Sequence, residues 1–370
     1  MIIIASVFVF IYSFGLICFL AIWLKKETLK ETSVPINQFF FSVIICVRNE
    51  EKNIGVLLQS LINQYFKNFE VLLIDDDSED MTVEIASRFK DKLALKIVKL
   101  EPEERGEAPK KSGITKAIGL AKHDLIFCTD GDCVLPNHIL EKYANLFDQE
   151  DVMLISGPVT FKSKADTLMG KLWENIQIVE FASLVGSAAV SIFFGKPNMC
   201  SGANLAYRKS IFYEVGAFKG NEHLASGDDE FLMHKIFEKY PKGVKFAKSR
   251  DCIVETNASD NIASFYNQRK RWASKWSHYK TITPKLLAAF VFFVNFSTLY
   301  FAFQFSFKVL LLRIILEFAF LGTFLLFLKK GKAVFFIPLV QIIYPFYVVF
   351  FGMLSIFINK TYYWKARELK

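Results

Sequence analysis

Two aspartates separated by one glycine, Asp130-Gly131-Asp132, close a short apolar run from Leu125 to Thr129. A strand ending this way can turn both carboxylates toward one divalent ion, because Gly131 lets the backbone turn with no side chain in the way. Hard oxygen ligands of this kind suit Mg²⁺ or Mn²⁺, ions that in turn bridge phosphates. An Asp-Gly turn with solvated carboxylates is the competing reading. Asp75-Asp76-Asp77-Ser78-Glu79-Asp80 follows the apolar stretch Phe69 to Ile74, and Arg48-Asn49-Glu50-Glu51 follows Phe41 to Val47. Gly227-Asp228-Asp229-Glu230 opens a helical stretch, where simple N-capping by Asp228 or Asp229 is the alternative to chemistry.

Three further stretches carry polar groups. Lys110-Lys111 precedes a helix expected from Thr115 to Lys122. Lysines there oppose the helix dipole but would suit a phosphate bound at that end; solvated surface lysines are the alternative. Met199 to Arg208 reads as a turn into a strand, in which Gly202 allows a close ligand approach and Asn204 can hydrogen-bond a ligand. In Ser264 to Lys280, Gln268, Arg271, Trp272 and Lys275 share a helical face. The basic residues with Trp272 and Trp276 also suit a membrane-surface helix.

The elements between these groups alternate. Strand Phe41 to Val47, helix Asn53 to Gln64, strand Phe69 to Ile74, helix Met81 to Phe89 and strand Leu95 to Leu100 predict a parallel α/β sheet. Ligands in such sheets collect beyond the carboxyl ends of the strands. Arg48, Asp76 and the Asp130/Asp132 pair are all expected there, so they should share one crevice. Helix Asn137 to Phe147, a strand from Val152 to Val159 and a strand region from Val244 to Val254 follow.

The 370-residue chain is 52% hydrophobic with 40 Phe and a net charge of +8. Its mean hydropathy of +0.29 exceeds that of an ordinary soluble domain. The apolar residues gather at both ends. Met1 to Leu24 predicts an uncleaved membrane helix, since Lys25, Lys26 and Lys30 follow the apolar run instead of preceding it. Leu168 to Phe194 mixes apolar and polar residues; it either lies against the membrane or covers an acceptor groove. Leu286 to Phe307 and Val309 to Leu328 predict a membrane hairpin. Ala333 to Ile358 is long enough for another span, which Pro338 and Pro345 could break. Three C-terminal spans would leave the basic tail outside, whereas an interfacial last segment would keep it inside. The expected organisation is a membrane helix at 1–24, a linker at 25–40, an α/β domain at 41–280 and a membrane region with a basic tail at 281–370. The six cysteines form no C-x-x-C pair and read as reduced buried thiols. No zinc-finger spacing or aromatic-basic RNA signature is present, which disfavours nucleic acid as a partner.

Five of these stretches occur together and in order: Ser42 to Glu50, Ile74 to Asp80, Asp130-Gly-Asp132, Gly227 to Leu232, and Gln268-Arg-Lys-Arg-Trp272. The set resembles the membrane-anchored family 2 glycosyltransferases, such as the cellulose, hyaluronan and poly-N-acetylglucosamine synthase catalytic subunits. The resemblance implies a GT-A fold, an inverting transfer from a nucleotide-sugar, a UDP-sugar first among them, and Mg²⁺ or Mn²⁺. It implies a lipid-linked or glycan acceptor, and a multi-pass protein of the cell membrane with a cytoplasmic catalytic domain. By the same resemblance Arg48, Glu50 and Asp76 meet the nucleotide-sugar, Asp76 through the base. Asp132 ligates the metal, with Asp130 beside it lining the donor sugar and diphosphate, and Lys110 meets the phosphates. Gln268, Arg271 and Trp272 hold the diphosphate and, with Gly202 and Asn204, the acceptor side. Gly227-Asp228-Asp229 stands where many relatives carry Thr-Glu-Asp or Gly-Glu-Asp, which makes Asp229 the implied general base and leaves Asp228 as the alternative. Two rival classes remain: a membrane-tethered binding protein without turnover, and a transferase of nucleotidyl groups, which would have no use for Gln268-x-x-Arg271-Trp272.

Overall fold

The structure is a computed structural model that describes residues 2–28, 38–274, 282–304, 306–357, 362–364 and 367–369. Lys30, Lys275 and Trp276 lie outside the described residues. The chain forms two units. An α/β unit comprises Glu27–Lys162, Ser191–Asn257 and Tyr363–Lys370; a helical unit comprises Met1–Lys26, Ser163–Val190 and Ala258–Tyr362.

The α/β unit is built on strands β1 (Phe41–Val47), β2 (Phe69–Asp75), β3 (Leu95–Lys99) and β4 (Leu125–Asp130). Helices α2 (Ile54–Ile62), α3 (Thr82–Ser87) and α4 (Pro109–Leu120) are the crossovers between them. (Helix α1 belongs to the other unit.) After α5 (Ile139–Phe147) come β5 (Leu154–Ser156) and β6 (Val159–Phe161). Later come β7 (Leu205–Arg208), α7 (Lys209–Glu214), α8 (Glu230–Lys239), β8 (Val244–Phe246) and β9 (Val254–Thr256). Seven strands form one sheet in the order β3-β2-β1-β4-β7-β5-β8, with β7 antiparallel to β4 and β5 and the remaining pairs parallel. Apolar β1 and β2 are interior strands of this sheet and are buried on both faces, as parallel strands between helices are.

Three local expectations are corrected. Helix α4 begins at Pro109, six residues before Thr115, because proline is pre-set for the first helical position. Lys110 and Lys111 therefore sit in its first turn and not ahead of it. The single strand expected from Val152 to Val159 is two strands, since Gly157-Pro158 interrupts the run. The region from Val244 to Val254 likewise splits into β8 and β9, and β6 pairs with β9 in a separate two-stranded sheet.

The helical unit contains α1 (Ile2–Lys25), most of α6 (Leu168–Phe193), α9 (Ile262–Ser274), α10 (Ile282–Phe303), α11 (Phe307–Phe327) and α12 (Ile337–Phe357). Among the described residues, five helical stretches are long and apolar enough to cross a membrane: Ile2–Lys25, Leu168–Phe193, Lys285–Phe303, Leu310–Phe327 and Gly331–Met353. Pro345 lies inside α12 without ending it. Pro338 sits in its first turn, where a missing N–H costs nothing.

A buried polar knot ties four of these helices together. Arg313 of α11 donates to Glu317 Oε1 at 2.8 Å, to Asn295 Oδ1 of α10 at 3.0 Å, and to Thr298 Oγ1. Tyr12 of α1 donates to Glu317 Oε1 at 2.7 Å, and Gln341 of α12 to Glu317 Oε2 at 3.2 Å. Removing one member of a buried pair strands the other charge, at a cost of about 3–5 kcal/mol. Arg313→Ala is therefore expected to lower the melting temperature of the full chain in detergent sharply, whereas Arg313→Met with Glu317→Leu melts closer to wild type. Equal losses in the two proteins would refute the charge-stranding account.

Candidate active site

Strand register assembles the first part of the site. Strands β2, β1 and β4 are neighbours and parallel, with Val47 opposite Asp75 and Cys46 opposite Asp130. The residues just beyond the strand ends, Arg48, Asp76 and the Asp130-Gly131-Asp132 turn, thus share one edge of the sheet. Gly131 is required by close approach: a Cβ there would lie 2.8 Å from Val47 Cγ1 and 3.0 Å from Glu50 Cγ.

Lys110 is the hub of the second part. Its ammonium lies 2.8 Å from Asp130 Oδ1 and 3.1 Å from Asp228 Oδ2. Burial works against its charge, but Asp130 and Asp228 outweigh burial and raise its pKa well above the usual lysine value. Burial also pushes Asp228 up, yet Lys110 and Lys111 hold it below the ordinary carboxylate range. Asp228 is thus a committed anion paired to a committed cation. Gly227, at φ +80°, makes the turn that delivers it.

Asp229 follows as the N-cap of α8. Its Oδ1 accepts from Glu230 N at 2.7 Å and its Oδ2 from Gly202 N at 2.9 Å. The capping expected of Asp228 or Asp229 falls to Asp229, and its carboxylate is oriented by two amides. Gly202 is packed against the same cluster: a Cβ there would meet Asp228 Oδ2 at 3.1 Å and Lys110 Nζ at 3.4 Å. Asn204 is a correction. It is fully buried, accepts from Tyr143 Oη at 2.7 Å and donates to the Pro158 and Cys252 carbonyls. A carboxamide spent on those three bonds ties the core together and does not face an acceptor.

Asp132 is gripped from another side. Thr256 Oγ1 donates to its Oδ2 at 2.8 Å, and Lys162 Nζ to its backbone carbonyl at 2.5 Å. Among the described residues no group of three or more His, Cys, Asp or Glu side chains forms a cage. Two hard carboxylates without a cage fit an ion of the Mg²⁺ type, which keeps water and phosphate oxygens in most of its positions.

Arg48 is 6% exposed and its guanidinium donates to the Asp76 and Asp77 carbonyls at 2.8 and 2.6 Å and to Glu79 Oε1 at 2.9 Å. It laces the loop after β1 to the loop after β2. Glu50 shares in that lacing: its amide donates to Thr82 Oγ1, and its carboxylate accepts from Asn53 at the start of α2. Asn49 and Asp77, at φ +51° and +60°, are the bends that make the lacing possible. Asp76 is buried, with Arg105 Nε 3.3 Å from its Oδ1, and Arg105 Nη2 lies 3.2 Å from Asp77 Oδ2. Burial opposes the charge of Asp77, and Arg105, Lys99 and Arg48 overcome it and lower its pKa. Arg105, Lys162 and Thr256 were not singled out from the sequence. The charged loop before Gly106 could have pointed to Arg105; nothing local marks the other two.

Gln268, Arg271 and Trp272 lie on α9 in the helical unit. There Arg269, between two of them, pairs with buried Glu180 of α6, with Nε 3.0 Å from Oε1. The Arg269 guanidinium lies 4.2 Å from the Trp272 ring and 4.3 Å from Phe265, and it donates to Gln268 Oε1 at 2.5 Å. All six cysteines are free thiols. Burial pushes Cys128 up to about 12 and raises Cys46, Cys133 and Cys252 as well, so none of these four is a nucleophile at neutral pH.

Residues 42–216 match the Glycosyl transferase family 2 signature. The matched stretch lies in a mostly parallel α/β sheet that carries its acids on one edge, and the fold is GT-A-like. The chain is 29% identical over 193 residues to glycosyltransferase AglE of Haloferax volcanii, covering 51% of this chain and 59% of that protein. It is 26% identical over 237 residues to the poly-β-1,6-N-acetyl-D-glucosamine synthase of Staphylococcus epidermidis, covering 63% of this chain and 53% of the relative. The matched region thus spans little more than half the length of these curated relatives. Among solved structures it is similar to a mannosyltransferase, PcManGT from Pyrobaculum calidifontis, in complex with GDP-Man and Mn²⁺. That likeness has a TM-score of 0.56 at 16% identity, covering 92% of this chain and 99% of the other.

The Gly131 contact is testable. Gly131→Ala forces a methyl into Val47, a stiff buried side chain, and is expected to cost about 1–3 kcal/mol of stability, as overpacking does. Thermal melting of the variant reads this directly, and an unchanged melt would mean that the turn and Val47 separate freely.

Proposed function

We propose that the protein moves a sugar from a nucleoside diphosphate to an acceptor hydroxyl, inverting the anomeric carbon. A UDP-sugar is the first donor to test, and the acceptor is a lipid-linked sugar or growing glycan at the cytoplasmic membrane face. The observation carrying this reading is the cluster in which Lys110 bridges Asp130 and Asp228 while Gly202 and α8 orient Asp229. A nucleotidyl transferase or binding protein would not need an oriented carboxylate beside the phosphate-facing lysine. The poly-N-acetylglucosamine synthase activity of the staphylococcal relative makes N-acetylglucosamine a leading donor sugar to test, and the GDP-Man complex of the mannosyltransferase keeps GDP-sugars in the panel.

Asp132, with Asp130, would hold Mg²⁺ or Mn²⁺ against the diphosphate. When bound, such an ion neutralises charge on the departing nucleotide. Lys110 adds fixed positive charge at the same end, in surroundings where a charge is worth more than in water. Asp76 would receive the nucleobase. Asp229 would accept the proton of the attacking hydroxyl. Its two amide bonds fix the carboxylate and leave acceptor capacity on both oxygens. Asp228, bound to Lys110, serves the charge balance instead. Gln268, Arg271 and Trp272 enter on the strength of their motif, as groups for the diphosphate and the acceptor end.

The test is a donor panel of UDP- and GDP-sugars offered with Mn²⁺ to the full chain in detergent, reading released nucleoside diphosphate. Asp132→Ala is expected to abolish release without changing the melt. Asp229→Asn is expected to lower transfer by about 10²–10⁴-fold, the usual worth of a general base, while donor binding persists. Release by no donor, or Asp229→Asn losing donor binding along with transfer, would sink the assignment.

A further inference from the structure

The ribbon made by β6 and β9 stands apart from the main sheet, and two of its side chains bond to one residue of the site. The two strands pair Val159 with Val254 and Phe161 with Thr256, and the ladder runs on as Lys162 N donates to Thr256 O at 2.8 Å. Lys162 and Thr256 are therefore adjacent. Thr256 Oγ1 donates to Asp132 Oδ2 at 2.8 Å and Lys162 Nζ to the Asp132 carbonyl at 2.5 Å. One step along, Val134 and Glu255 exchange backbone hydrogen bonds at 2.7 and 3.1 Å. Side chain, carbonyl and following backbone of Asp132 are all tied to the same ribbon.

We propose that this ribbon is a clamp for the metal-ligating carboxylate, with Thr256 and Lys162 as its positioning residues. The proposal rests on the reading of Asp132 as a metal ligand. A carboxylate at a loop turn is otherwise free about two torsions, and a metal must pay to immobilise it. Thr256 removes that cost. It is β-branched and stiff on a strand, and the buried neighbours Val254 and Phe161 fix the strand beneath it. Its hydroxyl holds one carboxylate oxygen while leaving lone pairs for an ion. Lys162 pins the peptide that carries the side chain. Hydrogen-bond partners behind a ligand are commonly worth about 10–100-fold in metal affinity.

The experiment titrates Mn²⁺ into the full chain in detergent with UDP or GDP present, following free Mn²⁺ by its paramagnetic resonance signal. Nucleotide binding without metal and the thermal melt are measured alongside. Thr256→Val, which keeps the shape and loses the hydroxyl, is expected to weaken Mn²⁺ binding about 10–100-fold, and Lys162→Met about tenfold. Thr256→Ser is expected to restore affinity near wild type, and metal-free nucleotide binding should not move. A purely structural role would lower the melt and leave the Mn²⁺ affinity of the folded fraction intact, which overturns the proposal. So does a Thr256→Val protein that binds Mn²⁺ like wild type. Should Thr256→Val melt early, Thr256→Ser and Lys162→Met decide by the same affinity reading. Failure of the wild-type chain itself to bind Mn²⁺ with either nucleotide overturns Asp132 as a ligand, and is told apart because it appears before any substitution.

Discussion

One ammonium group sets the terms for the α/β unit. Asp130 ends a strand, Asp228 precedes a helix, and the two carboxylates would repel each other without Lys110 between them. Two like charges about 4 Å apart interact by roughly 4 kcal/mol at the effective dielectric of a protein surface. Lys110 turns that repulsion into two attractions, and it can do so because α4 starts at Pro109 and carries it in the first turn. A helix beginning at Thr115 would have left Lys110 in a loop, with no fixed path to either acid. The buried charges are therefore affordable only as a set.

The other loops solve a related problem with backbone instead of charge. Two loops that follow parallel strands have no ladder to hold them, so their N–H and C=O groups must find other partners. Here side chains supply them: Ser78 and Thr82 accept amides of the β1 loop, Asn49 accepts an amide of the β2 loop, and Arg48 collects two carbonyls. The acids around Asp76 are thereby held in a rigid frame before any nucleotide binds. Preorganisation of this kind keeps the entropy of ordering two loops out of the binding step.

Much of this was legible in the sequence, for identifiable reasons. Central strands such as β1 and β2 announce themselves as apolar runs closed by polar residues, and their parallel order follows from the helices between them. That is enough to bring Arg48, Asp76 and Asp130 to one edge. Roles were harder to read than positions. Asn204 looks like a ligand-facing residue, yet its carboxamide bonds Tyr143 and the Pro158 and Cys252 carbonyls, and only the folded contacts tell a binder from a tie. Thr256 lies 124 residues from Asp132, and no local pattern marks such a pair. Helix α4 starts earlier than its basic pair suggests, because Pro109 favours the first helical position more than Lys110 and Lys111 oppose the dipole. The relation of Gln268, Arg271 and Trp272 to the acids stays a matter of motif, since they belong to the helical unit.

The helical unit follows a different logic from the sheet. In lipid, helices gain little from burying apolar surface against each other, because the surroundings are as apolar as the interface. Specific contacts must then select the arrangement, and two buried arginines do so. The Arg313–Glu317 pair of α11 gathers the other helices, Arg313 binding α10 and Glu317 binding α1 and α12. Arg269 fixes α9 to α6 through Glu180, and the Phe265 and Trp272 rings cover its guanidinium. Exposed phenylalanines such as Phe10, Phe14, Phe346 and Phe350 could face lipid in many registers. A fully paired arginine has one. The register of Gln268-x-x-Arg271-Trp272 on α9 is thus set by an ion pair made by a residue inside the motif. The ring contacts Trp173–Phe265 and Phe181–Trp272 pack the two helices around that ion pair, so charge and aromatic packing fix the motif's orientation relative to α6 together.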